Sequence, residues 1–178
     1  MKPRGPLMIE HRLIEKMLSV FNKEIKKIRE SKTVDPVIID SFIDFIRVYA
    51  DRTHHGKEED ILFKELENKD LNAEDKKIMQ ELEDEHTISR KNVKELIEAK
   101  RKFSEGDLKS ADVIADKLSF LVEFYPVHIK KEDEVFFPAT EKYFSKDELD
   151  KMLNDFWEFD KKMIHEKYNQ LYESLSKN

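Results

Sequence analysis

Apolar residues recur along this chain at spacings of three and four, the period of a helix with one buried face. Leu7, Ile14, Leu18, Phe21, Ile25 and Ile28 predict a first helix from about Leu7 to Arg29. Asp35-Pro36 then supplies a capping side chain followed by a proline whose missing N–H costs nothing at the first helical position. A second helix follows to about Leu66, through Phe42, Phe45, Ile46 and Tyr49. Asn72 with Asp75 caps a third helix to about Phe103, which Gly106 breaks. The fourth starts near Asp107 or Ser110 and carries Val113, Leu118, Leu121, Phe124 and Phe136. Pro126 and Pro138 fall within it and predict a kink or an early end, since each removes a backbone donor. Ser145 with Glu148 has the spacing of a reciprocal cap. It opens a fifth helix to about Leu175, holding Phe156, Trp157, Phe159, Ile164, Tyr168 and Leu171.

The connections are short, so neighbouring helices should run antiparallel. The expected fold is all-α: an up-down-up-down four-helix bundle with an additional C-terminal helix. It forms one domain over 1–178, with the bundle core at about 7–142 and the extra helix at about 146–175.

Composition narrows this picture. In 178 residues there are only three glycines and five prolines, too few for a strand-and-turn architecture, and twelve phenylalanines to fill a core. Charged residues make up 40 %, which reads as helices with wide solvated faces. A net charge of −6 disfavours nucleic acid as a partner. The lack of cysteine excludes disulfides, thiolate metal sites and cysteine nucleophiles. No apolar run approaches a membrane span and no signal-peptide pattern opens the chain, so no membrane is expected and the compartment is taken as cytoplasmic.

The candidate chemistry lies in a repeat. HHGKEEDILF, from His54, matches HIKKEDEVFF, from His128, at an offset of 74 residues. Glu10-His11 matches Glu85-His86 at an offset of 75. Each half therefore contributes Glu-His on its first helix and His-x-x-x-Glu on its second. Positions i and i+4 share a helix face, so an imidazole and a carboxylate can reach one metal. The candidate metal ligands are His11, His54, Glu58, His86, His128 and Glu132. Six ligands exceed what one catalytic zinc takes, and each carboxylate can span two ions. Nitrogen and oxygen donors without sulfur suit iron or manganese. Positions left over on such a pair can take solvent, an oxo or hydroxo bridge, or a small exogenous ligand. By the same alignment His55 and Glu59 lie about 100° round the helix and should face a neighbouring helix or solvent. Lys57 and Lys131 are expected on a solvated face. Phe42, Phe45, Tyr49, Phe120, Phe124 and Phe136 are candidates for an apolar wall. His165 is expected to be solvated or packed. Gly56, inside a helix, suggests close approach of another helix or a channel.

EHRLIE, HHGKEEDILF, EHTISR and HIKKEDEVFFP closely resemble the hemerythrin-like, or HHE cation-binding, domains, over roughly residues 7 to 140. The resemblance implies a bundle around a non-haem di-iron centre, with His11, His54, His86 and His128 as terminal ligands and Glu58 and Glu132 as bridges. It also implies binding of a small diatomic ligand, dioxygen or nitric oxide. The alternative it allows is a di-iron enzyme: an oxidase, peroxidase, nitric oxide reductase or iron donor for iron–sulfur cluster repair. Where blood-pigment hemerythrins carry a fifth histidine, one turn after the first on the third helix, this chain has Arg90, so it resembles the four-histidine, two-glutamate members.

Overall fold

The computed structural model describes residues 2–176, and for Tyr168 and residues 170–176 the backbone alone. Tyr168 and Leu171, expected on the apolar face of the last helix, therefore lie outside the described side chains. Helix α1 spans Arg4–Ser31 and ends on Lys32, whose φ of 56° closes the last turn through a bond from its N–H to the Ile28 carbonyl. Helix α2 (36–67) starts on Asp35, which accepts from the N–H groups of Val37 and Ile38. It is not uniform. Pro36–Asp44 is α-helical, Phe45–His55 and Glu58–Phe63 are π-helical, and Lys64–Glu67 is α-helical again. The hydroxyl of Thr53 donates to the carbonyl of Val48, five residues back, inside the widened stretch.

Helix α3 (Ala73–Ser104) is capped by Asn72 accepting from Asp75 N–H, and Gly106 turns the chain beyond it at a φ of +102°. Helix α4 (110–140) is α-helical over Ser110–Lys131, π-helical over Glu132–Phe136 and α-helical over Phe137–Thr140. The helix thus continues through Pro126, so of the kink or early end expected there the early end does not occur. Pro138 sits in the first turn of the last segment, where a missing donor matters least. Ser145 and Glu148 exchange side-chain-to-backbone bonds at 2.8 and 3.3 Å, opening α5 (Lys146–Ser176).

Helices α1 to α4 form the bundle. Among them α1 packs on α2 and α4, and α3 packs on the same two. Helix α5 lies along the outer side of α2. There is no strand among the described residues, and none of their helices is long and apolar enough to cross a membrane. The apolar core comes in two parts. One holds Ile14, Phe21, Phe42, Leu96, Leu118 and Tyr125 with their neighbours. The other holds Leu7, Phe63, Leu82, Phe136, Phe137 and Phe156. Each fully buried large side chain contributes about 1.5–3 kcal/mol by leaving water. Between the two parts, every bundle helix carries a buried polar turn.

Gly56 lies where α5 crosses α2. A Cβ built on it would stand 2.8 Å from Cζ of the Phe159 ring. Close approach of a neighbouring helix is thus the reason for a glycine inside α2. The ring is the free end of a half-buried side chain, so it can yield. Gly56→Ala should gain about 0.8–1 kcal/mol of intrinsic helix stability in α2 and lose the seat of Phe159. The expected result is several-fold faster amide exchange in α5 around Phe159, with α1 and α3 unchanged. Trp157, expected in the core, is instead 51 % exposed, because Phe156 takes the inward position.

Candidate metal centre

His11 of α1, His54 and Glu58 of α2, His86 of α3, and His128 and Glu132 of α4 all converge in the polar layer. None is more than 2 % exposed. Their inward atoms cluster. Nε2 of His11 and Nε2 of His128 each lie 3.2 Å from an oxygen of Glu132. Nε2 of His54 and Nε2 of His86 lie 3.6 and 3.5 Å from oxygens of Glu58. Each carboxylate therefore stands between one imidazole of each half of the chain. The two halves meet across this layer as the repeat implies.

The outward atoms explain the residues beside the histidines. Nδ1 of His54 is 2.8 Å from Glu10 and Nδ1 of His128 is 2.7 Å from Glu85, each an acid of the same half. Nδ1 of His11 is 2.7 Å from Asp133 and Nδ1 of His86 is 2.6 Å from Glu59, each an acid of the opposite half. All four rings are thereby held with Nδ1 outward and Nε2 inward, the arrangement that fixes a ligating tautomer. A cation backs every acid. Lys57 binds Glu10, Lys131 binds Glu85 at 2.5 Å, Arg90 binds Glu59 at 2.8 Å and Arg12 binds Asp133. Arg90 is thus turned outward, away from the layer's interior.

One expectation fails here and another is narrowed. Lys57 is not on a solvated face: it is fully buried and joins Glu10 to Asp160 of α5, 2.7 Å away. Helix α5 covers it, which sequence periodicity in α2 alone does not reveal. Of the two surroundings expected for His55, a neighbouring helix or solvent, it takes the helix. It is 1 % exposed, lies in the same layer, and stacks on the His86 ring at 3.9 Å and 11°. The angular step of 100° assumed an α-helix. The π-helical turn ending at His55 narrows that step, and His54 and His55 are both buried in the layer with ring centres 5.6 Å apart; such turns concentrate at functional sites.

The apolar wall follows expectation at Phe124 and Phe136 and departs from it elsewhere. Phe42 pairs with Phe21 at 4.3 Å within the first part of the core. The rings against the site are Phe63 on His86, Phe124 on His128, Phe137 on His11, and Phe136 against Phe63. The apolar residues that follow each repeated motif, Phe63 and Phe137 among them, carry the signal that could have found them. His165 is exposed.

Burial and neighbouring charge set the protonation of the layer. Burial alone would depress His11, but its bond to Asp133 and the nearby Glu132 carboxylate raise it to about 9. His128, also opposed by burial, rises to about 10 through Glu132 and Glu85. His54 is pushed down to about 4 by burial and by the adjacent His11. Glu58 is raised well above the carboxylate range by burial and by Glu132 facing it. Glu132 is held low: burial opposes ionisation, and His128, His11 and His86 outweigh it. His11 and His128 thus contribute stability that is complete below the ordinary imidazole value of about 6.5 and is lost as pH rises through about 9 and 10. His54 acts with the opposite sign, costing stability as pH falls from about 6.5 towards 4. Metal uptake needs these groups deprotonated and releases their protons, so affinity rises with pH. The melting temperature of metal-free protein should fall between about pH 6.5 and 9 while that of loaded protein holds. Thermal unfolding with chelator and with metal would show that gap widening.

The donor set fits a cation. Both oxygens of Glu58, both of Glu132, and Nε2 of His86 and His128 are buried without a hydrogen-bond partner. Leaving so many polar atoms unpaired costs several kcal/mol. A positive ion among them removes that cost. Two groups are spaced to hold one: His11, His54, Glu58 and Glu132, and His55, His86 and His128, the atoms of each lying within 4.8 Å of one another.

Comparison with curated proteins and with solved structures returned no match. The family model for the hemerythrin HHE cation binding domain matches residues 6–140, three quarters of the chain and all four bundle helices. The polar layer with its cation-binding donor set is the part of the fold that this match spans, and the chain belongs to the hemerythrin HHE cation-binding domain family.

Proposed function

We propose that this chain is a non-haem di-iron protein that binds a small diatomic ligand, dioxygen or nitric oxide, at a carboxylate-bridged metal pair. The observation that carries this reading is the position of Glu58 and Glu132: fully buried, unpartnered at every oxygen, and each set between imidazoles of both halves. His11, His54, His86 and His128 would hold the ions from the sides. When bound, an iron pair supplies electrons to a diatomic ligand without any other redox group. The protein orients the imidazoles through Glu10, Glu59, Glu85 and Asp133, and this raises their basicity. Phe63, Phe124, Phe136 and Phe137 exclude water from the layer and keep charged competitors out.

The test is metal analysis with optical spectra of anaerobically reduced protein before and after exposure to air or nitric oxide. Two irons per chain and a charge-transfer band that appears with the gas are expected. One zinc per chain, with no iron taken up on reconstitution, would overturn the reading. Consumption of many equivalents of gas per iron pair would move it from a carrier or sensor to an enzyme.

A further inference from the structure

His55 is the one histidine of the layer that the repeat does not explain. Position 129 in the other half is Ile129, which joins the apolar core. His55 is 1 % exposed, and neither of its ring nitrogens has a hydrogen-bond partner. Asp51 Oδ1 stands 3.4 Å from Nδ1 without hydrogen-bond alignment, and Arg90 Nε donates to that same oxygen at 2.7 Å. A buried histidine kept for packing alone finds a donor or acceptor for its ring nitrogens, and the other four of the layer have theirs on Nδ1 at 2.6–2.8 Å, whereas both nitrogens of His55 are left open. His55 instead stacks on His86, lies edge-on to His128 at 5.7 Å between ring centres, and brings a nitrogen within 4.8 Å of theirs.

We propose that His55 is a fifth imidazole ligand, completing a three-histidine position with His86 and His128 opposite the two-histidine position of His11 and His54. This rests on the metal-pair reading above and adds to it that the two ions are chemically unequal. Helix α2 then contributes to both positions, His54 to one and His55 to the other. That requires adjacent residues both to reach the layer, and in the π-helical turn ending at His55 both rings are buried there, 5.6 Å apart. The inequality is a property of this chain's own second helix and breaks the symmetry of its repeat.

The experiment compares wild type, His55→Phe and His55→Ala, reconstituted anaerobically with ferrous iron. The readouts are iron per chain, stepwise affinity by chelator competition, and Mössbauer spectra. His55→Phe keeps a ring against His86 and removes both nitrogens. Wild type should show two distinct iron environments. In His55→Phe one iron should weaken by more than about 100-fold, the upper end of what losing an outer partner of a ligand costs. Added imidazole should restore it in His55→Ala, an effect a packing role would not produce. Two irons of wild-type affinity and unchanged spectrum in His55→Phe would overturn the proposal. So would failure of imidazole to restore the iron in His55→Ala. Wild type holding no metal pair would overturn the underlying reading instead, and is distinguishable because it needs no variant.

Discussion

Replacing Glu58 or Glu132 by alanine should abolish uptake of a metal pair. Each carboxylate lies between imidazoles from both halves, so either deletion removes a donor from both positions at once. It also leaves the charge of the ions uncompensated in a buried site, where the loss of one partner is far more costly than at a surface. Metal content should fall below two per chain in each variant, and the paired-iron spectrum should vanish. Glu59→Ala is the contrasting case. Glu59 meets the layer only at Nδ1 of His86 and is otherwise held by Arg90, so both ions should remain, with affinity lower by about 10–100-fold. Metal analysis and chelator competition on the three variants decide it. Glu58→Ala holding two metals at wild-type affinity would show that the carboxylate does not bridge.

The second large effect is expected at Lys57. Its ammonium is fully buried between Glu10 and Asp160, and Lys57→Ala leaves Asp160 without its cation and Glu10 with His54 alone. Breaking such a pair costs about 3–5 kcal/mol, and the partial exposure of Asp160 puts the figure here near 3. Lys131 holds the matching place in the repeat but is 25 % exposed, so Lys131→Ala should cost less than about 1 kcal/mol. Denaturant unfolding of the metal-free variants measures both. Equal losses would mean that α5 does nothing for Lys57. A second change, Asp160→Asn, should recover part of the Lys57→Ala loss, since the two side chains touch.

These two positions show where sequence reading reached and where it stopped. Glu58, Glu132 and the four repeated histidines were placeable because a duplicated pattern carries its own register, and the structure brings all six into one layer. The helix ends were legible wherever a cap is local, as at Asp35, Asn72 and Ser145. What escaped depends on partners far along the chain. The burial of Lys57 is decided by Asp160 and the covering helix, more than a hundred residues on. The inward turn of His55 is decided by a change of helical pitch, which α-helical periodicity assumes away. The outer carboxylates were in plain sight as Glu10, Glu85, Glu59 and Asp133. Their role emerges only once two of them are seen to serve the opposite half.

That crossing has a consequence for how two similar halves find one arrangement. Layers of Leu, Ile and Phe repeat every turn and tolerate a slide of one helix by 5.4 Å, or an exchange of one hairpin's neighbours. The polar layer does not. A one-turn slide of α4 separates His128 from Glu85 and His11 from Asp133 together, and strands Glu132 among apolar rings. Every misaligned packing therefore carries several buried polar groups with no partner, while the aligned one satisfies all four outer nitrogens. The charged belt that interrupts the core works as an address, raising the energy of the wrong bundles more than it lowers that of the right one.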